Sequence, residues 1–82
     1  MQVRVLYFAA VRELVGLDEE DVTLPEGVVT VRDFSAWLER ARPVLSGRLA
    51  SVRVARNEVF ATADEPLAEG DVLALIPPVA GG

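Results

Sequence analysis

Apolar and polar residues alternate at the start of this chain and then change period. In "MQVRVLYF", Val3, Val5 and Tyr7 fall on one face and Arg4, Leu6 and Phe8 on the other, which is the period of a strand. The next stretch, "AAVRELVG", spaces Val11, Leu14 and Val15 as a helix does and stops at Gly16, a residue suited to a left-handed cap. That helix is about two turns long and needs tertiary support. "EEDVTLPEG" predicts a second short strand, closed by Pro25 and Gly27. The clearest helix follows, with Thr30 as N-cap and Asp33 in its first turn, where a carboxylate complements the helix dipole. Its apolar stripe is Val31, Phe34, Trp37, Leu38 and Ala41, and Pro43 ends it. "LASVRVAR" alternates again, with Val52 and Val54 opposite Arg53. "NEVF" opens with turn residues and continues as a short strand, "DEPLAEGD" is a loop, and the uniformly apolar "VLALI" reads as a strand near the middle of a sheet.

This order predicts a two-layer α+β domain, with one main amphipathic helix facing a mixed sheet of four or five strands. At 82 residues the chain forms one small domain with little room for an enclosed active site. No apolar run approaches the roughly 18 residues of a membrane span. The N-terminus lacks the order of a signal peptide, so a cytoplasmic location is expected, without a membrane partner.

Composition narrows the chemistry. Without cysteine there is no thiolate nucleophile, and without histidine the usual general base and commonest metal ligand are missing. All eight basic residues are arginine, so no side-chain amine can form a Schiff base. These absences argue against a self-sufficient hydrolase or lyase. The net charge of −5 argues against nucleic acid and suits a partner with a basic groove. The acidic runs at Asp18–Asp21 and Asp64–Glu65 read as solvated turns with no metal-ligand spacing, and Arg12, Arg53 and Arg56 as surface cations.

The ending "IPPVAGG" changes the picture. Pro77 and Pro78 fix φ and carry no N–H, so a sheet ladder must stop near Ile76 and the chain must leave extended. A globular domain is expected over 1–76 and a flexible, extended tail over 77–82. The six residues from Pro77 span roughly 20 Å at ~3.1–3.5 Å each, enough to enter another protein's active site. Gly81 and Gly82 have no Cβ and suit a narrow channel. The carboxylate of Gly82 is the candidate reactive group.

"VLYFAAVRELVG" near the start and "PLAEGDVLALIPPVAGG" at the end resemble the small subunit of molybdopterin synthase, a family of ubiquitin-like β-grasp sulfur carriers. The likeness spans effectively the whole chain, through the middle by pattern more than by motif; "ALI" stands where the family often has aromatic residues. The resemblance implies that an E1-like partner adenylates Gly82 with ATP and that a sulfur donor displaces AMP to leave a thiocarboxylate. The large subunit, joined with this chain in a heterotetramer, would then pass the sulfur to a cyclic pterin precursor. The catalytic acids and bases would belong to that partner, and this chain would bind no cofactor. A dithiolene product implies two charged tails. The family's docking patch falls at Phe8, Phe60 and Ile76 and continues along Pro77, Pro78, Val79, Ala80 and Gly81. Strand parity adds that Phe8 shares an outward face with Arg4 and Leu6. Carriers for thiamine, tRNA thiolation or cysteine synthesis, and ubiquitin-like protein modifiers, share the fold and the diglycine. A β-grasp binding module whose tail has no covalent role is the remaining reading.

Overall fold

The alternation that opens the chain becomes β1 (Gln2–Tyr7), whose Val3, Val5 and Tyr7 are sealed from solvent while Gln2 and Arg4 stay exposed. The computed structural model describes residues 1–78, and β1 is followed by α1 (Ala9–Val15), β2 (Glu19–Thr23), α2 (Val31–Ala41), β3 (Arg53–Arg56), β4 (Val59–Phe60) and β5 (Val72–Ile76). Single 3₁₀ turns at Pro43–Leu45 and Leu49–Ser51 link α2 to β3. The five strands form one sheet in the order β2-β1-β5-β3-β4. β1 and β5 run parallel at its centre, and every other pairing is antiparallel. This is the mixed-sheet α+β arrangement expected, at the upper strand count, and "VLALI" is the central strand.

One face of the sheet packs on α2. Val5 and Tyr7 of β1, Leu73 and Leu75 of β5 and Val54 of β3 meet Val31, Phe34 and Leu38 of the helix in one core. Truncating a fully buried phenylalanine such as Phe34 costs about 3–5 kcal/mol, a large share of the ~5–15 kcal/mol that holds a small domain folded. The entry of α2 is a capping box: Thr30 Oγ1 accepts from the Asp33 N–H at 3.2 Å, and the Asp33 carboxylate accepts the Thr30 N–H at 3.1 Å. The helix ends at Ala41, and Pro43 opens the following 3₁₀ turn instead of continuing it.

Three local expectations give way. Leu14 and Ala41, placed on apolar stripes by spacing, are exposed, because only Val11 of the short α1 is fully buried and α2 turns its middle, not its last residue, to the core. Trp37 is partly buried against that core. The strand in "LASVRVAR" starts only at Arg53. The Glu39 carboxylate accepts the N–H groups of Gly47 at 2.8 Å and Leu49 at 3.2 Å, holding the segment before β3 in turns.

Two inward carboxylates gather donors from separate segments of the chain. Glu20 lies on the core side of β2, where it accepts from the Tyr7 hydroxyl and from Arg42, whose Nε is 3.0 Å away. The acidic run is therefore not wholly a solvated turn. Burial works against ionisation of Glu20, but the hydrogen bonds from Arg42 and Tyr7 outweigh it and hold the carboxyl below its ordinary value. Burial beside that carboxylate raises the Tyr7 phenol. Asp71, only 5% exposed, accepts from Arg56 Nε at 2.7 Å, Asn57 Nδ2 at 2.9 Å and the Ala68 N–H at 2.7 Å. Burial again opposes its charge and these donors overcome it, so its pKa is lowered.

A folded-state pKa below the unfolded one gives stability that is complete above the ordinary carboxylate range near ~4 and lost as pH falls through the depressed value. Asp71→Asn is expected to cost about 1–3 kcal/mol at neutral pH and to flatten the loss of stability in acid. Thermal melts of both chains from about pH 7 down to about pH 2 check this; equal melting temperatures at neutral pH would show that the carboxylate holds nothing in place.

Candidate functional site

The sheet face opposite α2 is uncovered, and register fixes what it displays. Across β1 and β5, Leu6 lies beside Ala74 and Arg4 beside Val72; across β5 and β3, Ala74 lies beside Ala55 and Ile76 beside Arg53; β4 adds Phe60 beside Ala55. The face divides in two. Towards β2 it is polar, with Arg4 Nε donating to Asp21 at 2.9 Å and Gln2 reaching Thr23. Towards β4 it is apolar, with a groove of ≈ 250 Å³ lined by Leu6, Phe8, Phe60, Ala74 and Ile76 and by Glu58 at its rim.

Phe8, Phe60 and Ile76, which lie far apart in sequence, therefore meet in one groove. Phe8 is 44% exposed and Phe60 49%, unusual for large apolar side chains, while Ile76 is half-buried. A contiguous exposed apolar patch of this kind marks an interaction surface. Phe8, directly after β1, keeps extended dihedrals, and the next residue, Ala9, adopts φ 48, a left-handed conformation that costs a non-glycine residue ~1 kcal/mol. The chain thus turns sharply out of the sheet directly after Phe8.

The ladder ends at Ile76, as two prolines require; Pro77 is half-buried and Pro78 exposed. The expected tail positions Val79, Ala80, Gly81 and Gly82 lie outside the described residues. Ile76 therefore both ends the ladder and lines the apolar groove.

Two rim residues add charge that the sequence did not single out as part of a patch. The Arg53 guanidinium carbon sits 3.7 Å from the Phe60 ring centroid, a cation–π contact. Glu58 is the second residue of the two-residue β3–β4 turn, with φ 51 at Asn57 and 73 at Glu58. Such a turn normally takes Asn-Gly, so a glutamate after Asn57 was the available signal. The other two arginines read as surface cations are engaged within the chain: Arg12 with Asp18 at 3.8 Å, and Arg56 with Asp71 and Glu65. Asp64 is taken by Arg32 at 2.6 Å. Among the described residues, no group of acidic side chains is arranged to hold a metal ion and no helix is long and apolar enough to cross a membrane.

The family model described as the ThiS family matches residues 5–82. A molybdopterin synthase sulfur carrier subunit from Chlamydomonas reinhardtii is 37% identical over 84 residues, covering 100% of both chains. Among solved structures, SAMP1, the small archaeal modifier protein 1 of Haloferax volcanii, superposes with a TM-score of 0.85 at 33% identity, again over 100% of both chains. A complex of subunits 1 and 2 of molybdopterin-converting factor from Helicobacter pylori holds a chain of the same fold, with a TM-score of 0.69 at 24% identity and 100% of each chain covered. The fold is the ubiquitin-like β-grasp. With a match running from the first strand to Gly82 and a relative aligned end to end, the chain belongs to the ThiS family.

Proposed function

We propose that this chain is the sulfur carrier of a molybdopterin synthase and that its reactive centre is the main-chain carboxylate of Gly82. The observation that carries this reading is the place of Ile76: the last residue of the ladder, directly before the two prolines, lines an uncovered apolar groove. A protein seated there lies next to the point where the terminal residues begin.

The chemistry needs little from the carrier beyond an unhindered acyl group. A carboxylate is a poor electrophile, so an E1-like partner first joins it to AMP, releasing pyrophosphate from ATP. Hydrosulfide, or a sulfur donor acting as its equivalent, then attacks the glycyl carbonyl and expels AMP, leaving a thiocarboxylate. Inside the large subunit that sulfur attacks the cyclic pterin precursor, and water returns the glycyl carboxylate. The partner supplies the acids and bases, which suits a chain with no histidine or cysteine. The relative's name as a carrier subunit, and the two-subunit complex that contains the same fold, support the large subunit as partner. Pro77 and Pro78 pre-order the stalk, reducing the entropy lost when the tail docks.

A second reading is favoured by the likeness to SAMP1: a protein modifier whose activated glycine acylates an amine. Intact mass separates the two. Incubation with the E1-like partner, ATP and sulfide should replace one oxygen by sulfur; no gain with an active partner rejects a carrier. Discharge by the large subunit and cyclic pterin precursor assigns the pathway, whereas adducts on other proteins assign modification.

Deleting Gly82 is expected to abolish charging while stability changes by no more than about 0.5 kcal/mol; a larger drop in the melting temperature would make the tail structural. Phe8→Arg is expected to weaken capture of the large subunit with little unfolding, checked by pull-down beside a thermal melt. Severe unfolding would place Phe8 among the core residues instead.

A further inference from the structure

The apolar groove carries an unspent charge at each end. Arg4 and Arg53 share the open face; Arg4 takes Asp21 and Glu19, but Arg53 has no carboxylate within reach among the described residues and rests on the Phe60 ring instead. In a chain with 13 acidic residues, that is not for want of carboxylates. Glu58 likewise makes no ion pair among the described residues, and it holds a left-handed conformation that glycine would adopt more cheaply. Register places the two at opposite ends. Arg53 is the partner of Ile76, where the stalk departs, whereas the Asn57 N–H donates to the Val72 carbonyl, which puts the turn bearing Glu58 beside the start of β5. Four residues of strand separate these ends, roughly 13 Å.

We propose that Arg53 and Glu58 fix the direction and register in which the large subunit seats on the groove, the partner presenting an apolar segment with an acidic side chain against Arg53 and a basic one against Glu58. This rests on the docking described under the proposed function and adds to it what selects one seating over others. Apolar contact is non-directional, so a groove alone tolerates slippage. One residue of slip along a strand is about 3.3 Å, while misplacement of a reacting group by about 1 Å already impairs chemistry. Charges of opposite sign at the two ends penalise both reversal and slippage, because each moves a like charge or an apolar group onto Arg53 or Glu58. Both are held ready. The Phe60 ring supports the guanidinium, and Asn57, beside Glu58, is fastened by its side-chain bonds to Asp71 at 2.9 Å and the Val72 N–H at 2.9 Å.

The test titrates the full chain and the variants Arg53→Glu, Glu58→Arg, Glu58→Gly and Phe8→Arg against the large subunit and, in parallel, the E1-like partner by calorimetry, at low and at high salt, with melting temperatures alongside. Each charge reversal is expected to weaken binding about 10-fold or more at low salt, with the gap to the wild type narrowing at high salt. Glu58→Gly is expected to raise the melting temperature while weakening binding, a divergence that a merely structural residue would not produce. Wild-type affinity in both reversed chains at low salt, with Phe8→Arg still failing to bind, overturns the charge assignment and leaves apolar docking standing. Unchanged binding by Phe8→Arg overturns both. Sensitivity to the reversals in the E1-like partner alone, with none in the large subunit, also overturns the proposal.

Discussion

The structure depends on a central strand hydrogen-bonded on both sides. β5 pairs in parallel with β1 and antiparallel with β3, so its position is fixed by two ladders at once. Its two faces then serve different ends. Leu73 and Leu75 point into the core with no exposed surface, while Val72, Ala74 and Ile76 line the open groove. Pro77 and Pro78 follow immediately, where a residue with an N–H could have extended the pairing. The residues beyond Ile76 therefore follow a strand that is paired on both sides.

Charge placement complements this. Asp71, next to β5, gathers Arg56, Asn57 and the Ala68 N–H, and so joins the loop before the central strand to the β3–β4 turn. Glu20 does the same across the opposite edge, joining β2, Tyr7 and the end of α2. Both carboxylates are buried enough for ionisation to be opposed and both have enough donors to remain charged. With the sheet edges anchored in this way, the open face is free to stay apolar near β4 without carrying the domain's cohesion.

Much of this was legible in the residues themselves. Strand parity in "MQVRVLYF" placed Phe8 on the outward face, and the continuous apolar run of "VLALI" marked the central strand, because both signals come from period and burial alone. The Thr30 and Asp33 cap was equally local. Parity within "VLALI" could not decide whether Ile76 faces core or solvent; only its register against Arg53 does so, and register is a long-range property. The inward turn of Glu20 was hidden in a run of acids, although its alternation with Val22 on β2 was a usable sign. Asp71 gave no periodic signal at all, since its burial is set by three donors brought together in space. The 3₁₀ turn at Leu49 was masked by alternation that runs on into β3, and the deciding contact, from Glu39, lies ten residues back.

Among the described residues every ion pair is made by a guanidinium group, and the chain contains no lysine. An arginine stays protonated at any physiological pH and is not an acyl acceptor. Neither this chain nor a neighbouring copy of it therefore presents a side-chain amine to an activated acyl group. Acylation of a lysine on the carrier itself is excluded by composition, which leaves the α-amine of Met1 as the one primary amine the chain could offer.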